Sequence, residues 1–579
     1  MLVSGSRGAR RVDPDTVAVA GAVETMRAAV EQSALPIGTA GADEARRDRV
    51  ELLNQLDDYV LPRLRSLDAP LLCVVGGSTG AGKSTLVSSI VGEVVSRAGV
   101  LRPTTRASVL IHHPQDARWF ADNRILPGLA RLTGGVGADE DPGQLRLVAS
   151  DHIPAGLALL DAPDIDSVVE ANRDLARQLL SAADLWLFVT TAVRYADAVP
   201  WSLLQQATER GTSVAVVLNR VPVDAMEEVR ADLAQMLMDQ GLGQSPIFAV
   251  LESRLDEHGL LPYTEVSRMR SWLTSLAADA HARSTVIRRT LTGAIDSLSG
   301  RASTLADATQ EQADAADGLG STVAVAYQHA HDEVAEGMSD GSLLRGEVLA
   351  RWQEFVGTGE WFRQLDAGVG KLRDKVSAIL RGRGQGVPTA ELGEALHTGV
   401  AALIASHGEA AALAVARQWR TRPGGAELLA ADPGLAGVST DFDSRVQRLV
   451  REWQGEVLEL VRSEAGGRRT TARFLAFGVN GIAVMLMLIT FSATAGLTGA
   501  EVGIAGGSAV VAQRLLEAIF GDQAVRSLSA KARRRLLDHV DDLYAHERRR
   551  YDDALRGLSV DPDSADRLRA AVNAVKDAR

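Results

Sequence analysis

Apolar and polar positions divide the chain into four zones. Residues 14 to about 68 read as two helices. In the second, Leu53, Leu56, Val60, Leu64 and Leu67 recur at three- and four-residue intervals with charged residues between them. From 70 to about 275 the period changes. Short β-rich runs (LLCVV, ASVLI, LALL, LWLFV, VAVVL, IFAV) alternate with helix-like stretches, which predicts a parallel sheet with crossover helices. From about 280 to 470 the helical period returns in long Ala/Leu/Arg/Glu stretches. Gly/Pro clusters break them at GRGQGVP (382–388) and RPGGAELLAADPG (422–434). The last zone holds an apolar stretch at 474–512 and then a charged helical tail, where Leu536, Leu537, Val540, Leu543 and Tyr544 form one apolar face. No fixed-period repeat is present.

A helix with one apolar stripe has to bury it. The first helices, the long helices after the sheet and the tail are natural partners in one elongated bundle, with the α/β domain inserted between its elements. Several separate helical subdomains are the alternative. The expected division is N-terminal helices at 1–68, an α/β P-loop domain at 69–278, a helical neck and trunk at 279–470, a hydrophobic hairpin at 471–520 and a returning helical segment at 521–579.

The strongest chemical signal is GSTGAGKS, Gly77 to Ser84, between the apolar run LLCVV and the helix-like TLVSSIVGEVV. It fits G-x-x-x-x-G-K-[ST] in its strand-to-helix setting. Gly77, Gly80 and Gly82 let the backbone curl so that the N–H groups of Ser78, Thr79 and Ala81 face phosphates, at a helix N-terminus that favours anions. Lys83 can reach the β- and γ-phosphates, Ser84 can ligate Mg²⁺, and Thr85 follows in the first turn. The loop is an NTP site.

Three further elements follow in order. LALLDAPD places Asp161 at the end of an apolar strand, where it would hold Mg²⁺ through water; Pro163 and Asp164 stand where GTPases usually carry Pro-Gly. RPTTR (102–106) offers Thr105, with Thr104 as the alternate, to close over Mg²⁺ and the γ-phosphate. VAVVLNRVPVD places Asn219-Arg220 at a strand end. Guanine recognition usually uses Asn-Lys-x-Asp: the amide bonds the base, the long cationic stem covers its face and the carboxylate accepts from guanine N1–H and N2–H. Here Pro222 stands in the Asp position and Asp224 comes two residues later, so spacing alone does not fix the base. Glu252-Ser253, after IFAV, is a weaker candidate for a base-side loop.

From Phe474 to Ala500 there is no charge. Roughly 20 helical residues cross a hydrocarbon core of about 30 Å, and this run exceeds that. VGIAGGSAVVA (502–512) is a second, shorter run, and Gly499, Gly503 and Gly507 fall at four-residue spacing. Arg468, Arg469 and Arg473 on one side and Arg514, Lys531, Arg533, Arg534 and Arg535 on the other place positive charge at both ends, the arrangement of a hairpin. A buried trunk helix is the alternative.

These motifs resemble the dynamin-like GTPases, closest over Gly76 to Thr85 and Asp161-Ala162-Pro163. With the flanking helices and the late apolar segment they resemble especially the bacterial dynamin-like proteins of actinobacteria. The resemblance implies a GTPase head on a helical neck and trunk, and GTP hydrolysis with Mg²⁺. It implies insertion into membrane lipid, homo-oligomers formed through the heads, a paired dynamin-like paralogue, and membrane remodelling, for instance at division septa. It also implies a place at the cell membrane with the head on the cytoplasmic side. Thr79 and Gly80 stand where dynamins have Gln and Ser, Asp164 replaces Gly, and the Asn219 motif lacks its aspartate. No side chain stands out as a catalytic base. Lys83 stabilising transferring charge and Thr105 closing over the metal are the catalytic candidates. A nucleotide-gated membrane scaffold with negligible hydrolysis and a P-loop ATPase are the alternatives, although no LSGGQ-like signature marks a transport ATPase.

Composition narrows this little further. The 62 basic and 74 acidic side chains give a net charge of −12, which argues against wrapping nucleic acid. Hydrophobic residues at 46% exclude wholesale disorder. One cysteine, Cys73, cannot form an internal disulfide and reads as strand core; the first fourteen residues carry arginines with no apolar run after them, so no secretory leader is expected. His112-His113 lacks companion ligands for a metal.

Overall fold

The structure is a computed structural model that describes residues 14–96, 108–121, 125–126, 128–133, 144–166, 170–209, 212–339, 389–464 and 522–579. Two compact units emerge: residues 1–35, 40–311 and 561–579 form one, and 36–39 with 312–560 form the other.

In the first unit an eight-stranded sheet runs in the order β3-β4-β2-β5-β1-β6-β7-β8. The strands are β1 (Leu71–Gly77), β2 (Ser108–His112), β3 (Ala130–Thr133), β4 (Gln144–Ala149), β5 (Leu157–Asp161), β6 (Leu185–Thr191), β7 (Ser213–Val221) and β8 (Ile247–Leu251). All seven residues of β1 and of β6 are buried, as expected for central strands covered on both faces. The sheet is mixed, and this corrects the expectation of a parallel one: β2 runs antiparallel to β5, with Val109 opposite Asp161, and the other pairs are parallel. The reason lies in the link from β4 to β5. Residues 150–156 are too few for a crossover, which needs a dozen or more, so the chain reverses direction there.

The sheet separates two apolar layers. Leu72, Val74, Leu110, Leu160, Trp186, Phe188 and Val216 point to one side; Leu71, Cys73, Val75, Leu159, Leu187 and Val217 point to the other, where Leu86, Met269 and Leu273 meet them. Cys73 is buried there as expected, and burial pushes its thiol well above the usual range. Beside the sheet, helices Pro14–Gln32, Ala42–Gln55 and Leu61–Arg65 pack with the early part of helix Ala280–Gly337 and with the last helix, Ser564–Asp577. Leu53 is only half-buried there and Leu52 is fully buried. A π-turn at Leu56–Val60 inserts a residue into the helical count, so Leu56, Tyr59, Val60 and Leu64 turn inward together.

The second unit is a helical bundle of residues 319–338 with Thr389–Trp419, Phe442–Glu464 and Asp522–Gly557. Leu536, Val540, Leu543 and Tyr544 are buried in its core and Leu537 is half-buried, the face expected from sequence. Trp453 Nε1 donates to the Ala532 carbonyl at 2.8 Å, while Ser439 N donates to Glu547 at 2.9 Å. Partners therefore descend along one helix as they climb the other, and Phe442–Glu464 and Asp522–Gly557 are antiparallel. Among the described residues one helix stretch, Glu394–Trp419, is long and apolar enough to cross a membrane. Its Leu396, Val400, Ile404, Val415 and Trp419 lie in the bundle core. The apolar run 474–512 and its expected hairpin lie outside the described residues.

Candidate functional site

Three strand ends converge: β1 delivers Gly77, β5 delivers Asp161 and β7 delivers Asn219. Between β1 and the helix Lys83–Val91 the chain takes the tight turn that the glycines allow. Gly82 has φ 85°, a conformation that favours glycine, and a Cβ there would sit 2.7 Å from Asn219 Nδ2. A Cβ at Gly77 would fall on the Val189 carbonyl of β6. Gly80, with φ 77°, makes the outer bend, and Ala81 N closes it by donating to the Ser78 carbonyl at 3.1 Å. Lys83 opens the helix, with Ser84 and Thr85 behind it in the first turn.

Lys83 is nearly buried. Its Nζ donates to the carbonyls of Gly77 at 2.9 Å and Ser78 at 3.2 Å, and pairs with the Asp164 carboxylate. Thr79 gives both its N–H, at 2.5 Å, and its hydroxyl, at 2.6 Å, to Asp166 Oδ1. Asp166 in turn pairs with Arg194, 2.8 Å away. Burial alone would raise the Asp166 carboxyl, but the Thr79 donors and the Arg194 guanidinium outweigh it and hold it below the usual carboxylate range.

Asp161 is fully buried at the end of β5. Ser96 Oγ donates to its Oδ2 at 2.7 Å, and among the described residues Oδ1 has no hydrogen-bond partner. Burial pushes this carboxyl above its ordinary value, against the Ser84 and Ser96 hydroxyls and the Lys83 charge. A buried carboxylate oxygen without a partner, beside a helix-first-turn hydroxyl, is a donor set suited to a hard cation such as Mg²⁺ and its water. The residues present fit that group.

Asn219 donates from Nδ2 to the Ala81 carbonyl at 2.8 Å and accepts the Arg220 N–H at 2.9 Å on Oδ1. Its amide thus ties the strand end to the glycine-rich loop. Arg220 adopts a left-handed φ of 55° and its guanidinium lies against Gly82, within 3.7 Å of where a Cβ would be. Glu252 N pairs with the Val221 carbonyl at 3.0 Å, which sets Glu252 beside Pro222 at the same edge. Asp224 lies in the exposed turn Val223–Ala225.

The structure therefore brings together Gly77, Ser78, Thr79, Gly80, Ala81, Gly82, Lys83, Ser84, Thr85, Asp161, Asn219 and Arg220. Thr104 and Thr105 lie outside the described residues. Sequence reasoning missed Ser96, Asp166 and Arg194. Asp166 carried a faint signal, two residues beyond Asp164 in the loop after β5; Arg194 carried none beyond its place after a strand end. His112 stacks on Phe120, and among the described residues no group of three or more His, Cys, Asp or Glu side chains is placed to hold a metal ion by itself.

No family model matches the chain, and no curated protein matches it. Among solved structures it is similar to two of an oligomerised bacterial dynamin pair described as a mechanism for long-range sensing and tethering of membranes. One alignment has 11% identity over 96% of this chain and 95% of the other, with a TM-score of 0.41; the second has 10% over 99% and 96%, with a TM-score of 0.42. It is also similar to Aquifex aeolicus Era bound to GDP and aluminium fluoride, at 18% identity over 34% of this chain and 55% of the other, with a TM-score of 0.23.

Proposed function

We propose that the chain is a dynamin-like GTPase that binds and hydrolyses Mg²⁺–GTP and couples this to self-assembly on a membrane. The observation that carries the nucleotide reading is the joining of the loop Gly77–Ser84 to Asn219 through the Ala81 carbonyl. It holds the loop and the Asn219 amide on one frame, which supports reading them as phosphate cradle and base reader. In this reading the loop N–H groups and Lys83 take the β- and γ-phosphate oxygens, Ser84 and Asp161 hold the metal, and Thr105 closes over it. Asn219 bonds the base while Arg220 covers its face. Mg²⁺, when bound, supplies charge neutralisation of the phosphates. The apolar run 474–512 supports lipid insertion, and heads pairing with heads, or with a paired paralogue, would complete hydrolysis on the cytoplasmic face of the cell membrane.

A second reading, a nucleotide-gated membrane scaffold with negligible hydrolysis, is favoured by one observation: Lys83 is already paired with an acidic side chain at a position where GTPases usually carry glycine. One assay separates the readings. Purified chain is mixed with anionic-lipid vesicles, and GTP and ATP turnover are measured with and without Mg²⁺. The GTPase reading expects Mg²⁺-dependent GTP turnover that rises on vesicles. Tight GTP binding without turnover favours the scaffold, and tighter ATP binding in direct competition overturns the guanine assignment.

A further inference from the structure

The cradle's two principal phosphate donors are both occupied by carboxylates from one loop. The Lys83 ammonium holds Asp164, and the Thr79 N–H, one of the backbone groups aimed into the loop, holds Asp166. The two acids are separated only by Ile165, whose N–H reaches the Gly77 carbonyl at 3.4 Å, so the segment after β5 is laid directly onto the phosphate loop. Arg194 completes the arrangement. Its Nη2 pairs with Asp166 at 2.8 Å, its Nε with Asp197 at 2.9 Å, and its Nη1 donates to the Thr79 carbonyl at 2.9 Å.

We propose that Arg194 is a second phosphate-binding cation of this site, and that Asp164 and Asp166 hold the places of phosphate oxygens until nucleotide arrives. This rests on the GTP-site reading above. The argument is one of charge and attachment. Four carboxylates, Asp161, Asp164, Asp166 and Asp197, stand around two cations, Lys83 and Arg194. A triphosphate that takes Lys83 leaves Asp164 facing phosphate oxygens without a counter-charge, and like charges at that range repel strongly in a partly buried site. Asp164 must leave, and Asp166, two residues on along the loop, leaves the Thr79 N–H with it.

Of Arg194's three attachments, only the one to Asp166 is then broken. Asp197 and the Thr79 carbonyl keep the guanidinium at the cradle's outer edge, with Nη2 vacated and a planar fork suited to phosphate oxygens. A diphosphate reaches Lys83 through its β-phosphate but puts no oxygen at this outer position, so Arg194 gains no phosphate contact from it. The cradle thereby distinguishes tri- from diphosphate through the same loop that would switch.

The test uses the full chain with Mg²⁺ and two fluorescent probes, a non-hydrolysable GTP analogue and GDP, with each variant's thermal midpoint read alongside. Asp166→Asn should bind the triphosphate analogue at least threefold more tightly, because a competing anion is gone. Arg194→Ala should weaken the triphosphate analogue tenfold or more and GDP less than twofold. Arg194→Lys, which keeps the charge, should recover at least half of that loss in logarithmic terms and also covers a failure of the alanine variant to fold. Equal effects of the Arg194 variants on both nucleotides, or none, would overturn the proposal, as would weaker triphosphate binding by Asp166→Asn at an unchanged thermal midpoint. Should the parent chain bind neither probe, the GTP-site reading falls and this one with it. If the parent binds, Lys83→Ala abolishes binding and the Asp166 and Arg194 variants are silent, only the present inference falls.

Discussion

The side-chain amide of Asn219 and the carbonyl of Ala81 are joined by a 2.8 Å hydrogen bond across 138 residues of sequence. Both partners are buried, so the bond fixes the glycine-rich loop against β7. Asn219→Ala leaves a buried carbonyl unpaired, at about 1–3 kcal/mol. The expected outcome is weaker binding of GTP and ATP alike together with a lower thermal midpoint of the nucleotide-free chain. A loss confined to GTP, at an unchanged midpoint, would mean that the residue only reads the base.

The buried Asp161 carboxylate opposes stability. Burial holds its carboxyl above the ordinary range, so its folded-state pKa exceeds the unfolded one. For such a group, stability is greatest below the unfolded pKa and falls as pH rises through the folded one. Asp161→Asn should therefore raise the nucleotide-free midpoint near neutral pH by about 2–4 °C, equivalent to roughly 1 kcal/mol, and flatten its dependence on pH above the carboxylate range. The same variant should lose Mg²⁺-dependent nucleotide binding. Calorimetry at pH 5 and pH 8 reads both, and a lower midpoint at pH 8 contradicts the argument.

Arg63 and Asp184 form a buried ion pair beneath β1. Asp184 also accepts the Leu72 N–H at 2.8 Å, and Arg63 donates to the carbonyls of Ala69 at 3.2 Å and Pro70 at 2.9 Å. Removing one partner of such a pair costs about 3–5 kcal/mol because the other charge stays buried alone. Arg63→Ala should lower the unfolding free energy from a denaturant titration by that amount; a loss under 1 kcal/mol would show that water reaches Asp184.

In the bundle, Gly408 lies where a Cβ would overlap the ring of Phe442 and approach Tyr544 to 3.1 Å. Both rings are fully buried and cannot give way freely. Gly408→Ala should destabilise the bundle by about 1–3 kcal/mol through overpacking. Limited proteolysis of the variant, with faster cleavage within 389–464 than in the parent, is the readout; equal rates count against it.

Deleting 474–512 should give a chain that still binds the GTP analogue and no longer floats with anionic vesicles. Persistent flotation would place the lipid contact elsewhere.

How much was legible follows from where each residue sits. Gly77, Asp161 and Asn219 each end an uninterrupted apolar run, so their strands and their positions at strand ends could be read directly. The tail's face could be read because Leu536, Val540, Leu543 and Tyr544 keep a helical period through one long element. Strands β3 and β4 could not: ARLT is short, and QLRLVA carries the buried Arg146 mid-strand, which looks like a surface residue until its fold is known. The antiparallel β2–β5 pairing depends on a seven-residue link that apolar patterning does not report. Arg194 and Asp166 meet through tertiary approach alone, and Leu52 displaced Leu53 because a π-turn changes the helical count.

The antiparallel pairing of Phe442–Glu464 with Asp522–Gly557 has a consequence of parity. Glu464 and Asp522 mark the same end of that pair, so the chain leaves the described bundle and re-enters it at one end. An excursion of this kind that enters a bilayer crosses it an even number of times, or not at all, and leaves both helices in the same aqueous compartment. Insertions between 465 and 521 should then leave the hydrogen bond of Trp453 to Ala532 in place.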